Sequence, residues 1–138
     1  MKCPACGNEL SQKLAGNIIV DACEGGCGGI WFDRFELPKV DNLEEAEGES
    51  LLNVKKSPEV EVNPNLRRYC PKCSGIPMMR HYYSIRREVL VDECPSCAGF
   101  WLDAGELAAI RSQFSSETEK EIVTEQYIAN IVNKYMGT

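Results

Sequence analysis

The 138-residue chain has a single histidine, His81. No apolar run approaches the ~18 residues of a membrane-spanning helix. The first ten residues, MKCPACGNEL, hold no signal-peptide apolar core. Both absences point to a soluble, cytoplasmic protein. Positive charge is also scarce: the net charge is −6, whereas a general nucleic-acid coat must neutralise phosphates. No nucleophile–base pair and no βαβ pattern stand out, which speaks against an enzyme and against thioredoxin-like chemistry.

What the chain does have is eight cysteines, in four close pairs: Cys3/Cys6, Cys23/Cys27, Cys70/Cys73 and Cys94/Cys97. Three pairs are C-x-x-C and the second is C-x-x-x-C. The cytosol keeps thiols reduced, so such a set suggests metal rather than disulfides. Gaps of 16 residues (7–22) and 20 residues (74–93) separate the pairs within each half. Two close pairs at that separation have the spacing of a structural zinc site. Tetrahedral zinc takes four ligands, and four thiolates leave no open position for water or substrate. The count therefore predicts two Zn2+ ions per chain, both structural. Iron–sulfur ligation and thiol redox or metal handling are the competing uses of these cysteines. Zinc would also answer a size problem, because units of ~40 residues rarely fold without a metal or disulfides.

The segments between the pairs read as β-hairpins. LSQKL (10–14) and IIVD (18–21) flank Ala15-Gly16-Asn17; MMRHYYS (78–84) and EVLVD (88–92) flank Ile85-Arg86-Arg87. Gly7, Gly29, Gly75 and Gly99 follow the cysteines, where positive φ would let backbone amides turn toward sulfur. After each second pair the chain repeats itself: CGGIWFDRFEL (27–37) and CAGFWLDAGEL (97–107). Asp33-x-x-Glu36 and Asp103-x-x-Glu106 have the spacing of a helix cap, with the Asp side chain accepting an amide hydrogen at N3. Pro38 should limit the first helix to about one turn, while the second should run to about residue 114. Trp31 and Trp101 read as lids on the hairpins.

These motifs resemble the transcription-factor-IIB-type zinc-ribbon family. The second half is the closer match, through CPKC (70–73) and DECPSCAGFWLDAGEL (92–107). The first half matches through CPAC (3–6) and DACEGGCGGIWFDRFEL (21–37), with an extra residue between Cys23 and Cys27 and Arg34-Phe35 in place of a small pair. The resemblance implies the zinc-ribbon fold and zinc ligation by all eight cysteines.

The expected architecture is a small, metal-stabilised α+β protein. It comprises a first ribbon at 1–37, an acidic linker at 38–69, a second ribbon with a capped helix at 70–114, and an amphipathic C-terminal helix at 115–138. The linker reads as solvated on composition, although a short helix from Asp41 to Asn53 with Leu43 and Leu51 inward would also fit. Residues 117–136 carry an apolar stripe of Val123, Tyr127, Ile128, Ile131, Val132, Tyr135 and Met136. That stripe could pack on the ribbons, bind a partner or form a homodimer.

The functional expectation is a non-enzymatic, zinc-binding adaptor that contacts a protein partner, such as transcription or translation machinery. A nucleic-acid contact competes with it. Residues 65–91 hold Arg67, Arg68, Lys72, Arg80, Arg86 and Arg87 against Glu88 alone, a local +5. Arg80 and Tyr82 share a strand face, so Arg80, Tyr82, Arg86 and Arg87 could pair phosphate and stack bases. His81 reads as an exposed strand residue.

Overall fold

The computed structural model describes residues 1–41, 46–84 and 88–113. Both expected hairpins form. Strands β1 (Ser11–Ala15) and β2 (Ile18–Ala22) pair antiparallel across the Gly16-Asn17 turn. Gly16 adopts φ +62° there, a conformation that lacks a Cβ penalty only for glycine.

The tail motif of each repeat adds a third strand that the sequence reading did not anticipate. These are β3 (Ile30–Phe32) and, in the second half, β6 (Phe100–Leu102), which follows β4 (Met79–Tyr82) and β5 (Leu90–Glu93). β3 and β6 pair with each other, with Ile30 opposite Leu102, Trp31 opposite Trp101 and Phe32 opposite Phe100. The result is one six-stranded sheet in the order β1-β2-β3-β6-β5-β4. Its two halves are related by a local twofold between the tryptophans, so the ribbons are not separate bodies.

Side chains alternate across the sheet, and each face covers a different core. Ile30, Phe32, Leu102 and Val91 join Leu37, Val40, Leu51, Leu107 and Ile110 on one side. Trp31, Trp101 and the cysteines form the other core. A buried indole removes roughly 150–250 Å² from water, worth about 4–6 kcal/mol of transfer free energy.

The connector corrects the expectation of a solvated linker. It contributes the 3₁₀ segments Leu37–Lys39 and Ala46–Asn53. Val40, Asp41, Leu51 and Arg68 are buried, and Val60 and Val62 pack against the cysteine-rich core. Composition misled here because a few well-placed apolar residues suffice to dock an acidic segment. Leu51 faces inward as the short-helix option required, while Leu43 lies outside the described residues.

The capping motifs end each ribbon as expected in part. Pro38 falls in the one-turn 3₁₀ segment Leu37–Lys39, and helix α1 spans Glu106–Gln113. Leu107 and Ile110 bury one face of α1, and Arg111 is fully buried. Arg111 crosses to the connector and donates to the Val40 carbonyl at 2.7 Å. A Cβ on Gly48 would collide with the Arg111 guanidinium, which ties that position to glycine.

Candidate metal centre

Each ribbon gathers its four cysteines at the end of its sheet. In the first set, Cys3 and Cys6 come from the N-terminal turn, and Cys23 and Cys27 from the turn after β2. The second set is Cys70, Cys73, Cys94 and Cys97. Within each set all four Sγ atoms lie within 4.8 Å of one another. Cys3–Cys27 and Cys6–Cys23 are 3.5 Å apart, and Cys70–Cys97 are 3.7 Å apart. A tetrahedron with Zn–S near 2.3 Å has S···S edges of about 3.8 Å, so both sets fit a zinc ion with little adjustment. All eight cysteines predicted as ligands are brought together, four to a site.

The turns aim amides at sulfur. Ala5 and Cys6 donate to Cys3 Sγ, each at 3.3 Å. Lys72 and Cys73 donate to Cys70 at 3.4 and 3.2 Å, and Ser96 and Cys97 to Cys94, each at 3.4 Å. The longer C-x-x-x-C turn keeps a bond from the Cys27 amide to Cys23 at 3.3 Å. Its extra glycine has a structural use: the Gly25 amide donates to Lys55 O and the Ser57 amide to Gly26 O, each at 2.8 Å. The connector is thereby clamped to the first site.

The thiols show why a cation belongs here. A shared hydrogen with Cys27, reinforced by the Cys6 and Ala5 amides, holds Cys3 down at about 5. Cys27 is pushed up by giving that hydrogen and by burial. Burial pushes Cys23 up to about 11 and Cys70 up to about 12. Burial also raises Cys97, whereas at Cys94 it is outweighed by the amides of Cys97 and Ser96, leaving that thiol lowered. Four crowded sulfurs cannot all ionise without a compensating cation, and a divalent ion supplies that charge.

The repeated tail braces these sites across the local twofold. Trp31 Nε1 donates to Asp33 and Trp101 Nε1 to Asp103, each at 3.0 Å. Glu36 and Glu106 accept from the amides of Asp33 and Asp103, each at 2.8 Å. The glutamate half of the capping expectation therefore stands, but the aspartate carboxylates accept indole N–H groups in place of the N3 amides, which go to the Asp33 and Asp103 backbone carbonyls. The tryptophans are not lids on their own hairpins. A Cβ on Gly99 would sit 2.5 Å from Trp31 Cη2, and one on Gly29 2.7 Å from Trp101 Cη2. Gly29 and Gly99 are thus explained by close approach across the twofold, while Gly7 and Gly75 have the anticipated positive φ, +83° and +75°.

The basic residues of the second half are largely engaged. Arg68 is 2% exposed and donates to Asp103 at 2.9 Å and Asp92 at 3.3 Å. Arg80 meets both Asp92 oxygens at 3.3 Å, and Lys72 reaches Asp33 at 3.2 Å. Arg80 and Tyr82 do share a face, with Tyr82 exposed. Arg86 and Arg87 lie outside the described residues, as does 117–136. His81 is half-buried rather than free, with Nε2 2.8 Å from Glu93 and its ring edge-on to Phe100. The Arg68 network escaped sequence reading. Its one clue was an arginine two residues before Cys70, which does not reveal a partner 24 or 35 residues away.

Residues 2–41 and 69–112 both match the profile of the family described as transcription factor zinc-finger, of the IIB zinc-ribbon type. No curated protein and no solved structure matches the chain. Among the described residues, no helix is long and apolar enough to cross a membrane.

Proposed function

Because the chain belongs to the transcription-factor-IIB-type zinc-ribbon family, we propose that it is a non-enzymatic adaptor whose joined ribbons present a surface to a protein partner, such as transcription or translation machinery. The zinc-binding sites themselves are closed: each has four sulfur donors and no position left for a substrate. The observation that carries the adaptor reading is the joined sheet, which makes one platform from two metal-clamped units. Exposed Leu14 and Ile19, paired across β1 and β2, add an apolar contact to it. The acidic balance of the chain also favours a protein over a polyanion. A nucleic-acid contact is the weaker reading, since Arg68, Arg80 and Lys72 already face carboxylates.

A photo-crosslinking side chain at Ile19, in chain carrying two zinc ions, tests this inside a reducing cell. Adducts should keep their size after exhaustive nuclease treatment. Adducts that nuclease returns to the size of the free chain would replace the adaptor reading with nucleic-acid binding.

A further inference from the structure

Two hairpins end the sheet, and on one face each exposes an apolar cross-strand pair: Leu14 opposite Ile19 in the first ribbon, Tyr82 opposite Leu90 in the second. Their electrostatic surroundings differ. Beside the first pair, on the same face, stands Asp21; Lys13, opposite Val20, points to the other face and pairs with Glu24 at 3.6 Å. Beside the second is a shallow groove of about 180 Å³ whose lining includes Leu66, Arg67, Arg68 and Arg80; Asp92 and Asp103 neutralise Arg68 and Arg80, which leaves the exposed Arg67 as its one cation without a carboxylate partner among the described residues. The loop carrying Leu66 is tied to β4 by a hydrogen bond from Arg80 to the Pro64 carbonyl. Leu66 is 63% exposed, Tyr82 58% and Leu90 45%, so groove and pair together make an apolar surface with Arg67 at its rim.

We propose that this surface is the docking site of the chain's own C-terminal segment, residues 117–136. The segment's composition is complementary. It carries Glu117, Glu119, Glu121 and Glu125 against Lys120 and Lys134, with apolar residues from Val123 to Tyr135 at helical spacing. The acidic end suits Arg67, and the stripe suits Leu66, Tyr82 and Leu90. The first hairpin instead presents Asp21 beside its apolar pair, which repels an acidic segment. A phosphodiester strand would leave the two leucines unused. Reach is ample, because 25 residues follow Gln113. A body of about 100 residues has a radius of gyration near 13 Å, and 20 helical residues span about 30 Å.

Hydrogen exchange on the full-length, zinc-loaded chain tests it. Wild type is compared with Tyr82→Glu/Leu90→Glu and with Glu117→Lys/Glu119→Lys/Glu121→Lys, the latter leaving the ribbons untouched. Native mass spectrometry first establishes two zinc ions in each. Amides of 117–136 should exchange at least about tenfold slower in wild type than in either variant, at every protein concentration. Equal exchange in all three overturns the proposal. So does protection that vanishes on dilution, which assigns the segment to a homodimer. Protection of Tyr82 and Leu90 that appears only on adding a single-stranded oligonucleotide gives the groove to nucleic acid instead.

Discussion

Gly99→Ala is the sharpest probe of the local twofold. The backbone at Gly99 is not in the left-handed region, so alanine is conformationally acceptable and would by itself stabilise by about 0.4–1 kcal/mol through the unfolded chain. Against that gain, its methyl would lie 2.5 Å from Trp31 Cη2 and 3.0 Å from Cε2, and nearer still to Cζ2. Trp31 is fully buried, with its indole N–H bound to Asp33 at 3.0 Å. It can yield only by disturbing the β3–β6 pairing and its own core. Overpacking of this kind costs about 1–3 kcal/mol, and loosening a hydrogen bond to a carboxylate adds about 1.5–3 kcal/mol. The net expectation is a loss of about 2–4 kcal/mol. Denaturant unfolding of the zinc-loaded protein, followed by tryptophan fluorescence, would measure it. A double-mutant cycle with Trp31→Phe, which removes the benzo ring the methyl meets, should recover at least about 1 kcal/mol of coupling. A neutral or stabilising Gly99→Ala, or a cost unchanged in the Trp31→Phe background, would refute the reciprocal packing.

Arg68→Met should cost about 1.5–3 kcal/mol in chemical denaturation, because Asp103 loses its cation and Asp92 keeps only Arg80; a loss below 1 kcal/mol would contradict the network. Burial, aided by the neighbouring Asp103 charge, lifts Glu106 to about 8 from its ordinary 4.5, so the folded state holds that proton more tightly than the unfolded one. Its ionisation therefore removes stability as pH rises from about 4.5 to about 8. The stability of Glu106→Gln relative to wild type should climb through that window and level off above it, with zinc effects cancelling in the difference; a flat difference would refute the shift. Cys94→Ser should remove exchange protection from β3 as well as β5 and β6, because β3 pairs directly with β6. If Ile30–Phe32 kept full protection by mass spectrometry, the ribbons would be independent after all.

Features that depend on short spacing are legible in the order of residues alone. Cys70 and Cys73 are forced onto one turn by the two residues between them, and β1 and β2 by the Gly16-Asn17 turn. Glu106 reaches the Asp103 amide because three residues of chain fix that distance. The repeat likewise exposed the two ligand sets, since a four-cysteine set needs only local turns and one hairpin return. Tertiary structure alone decided how the two copies meet. Trp31 and Trp101 looked like local lids, yet each occupies space left by a glycine some 70 residues away, and sequence spacing carries no record of that approach. The connector looked solvated because its charges dominate its composition, whereas burial of Val40, Leu51 and Arg68 follows from the faces they find on the finished sheet. The second-half arginines looked like free positive charge for the same reason: net charge is additive along a chain, but Asp92 and Asp103 are placed against Arg68 and Arg80 only after strands β4 to β6 have paired.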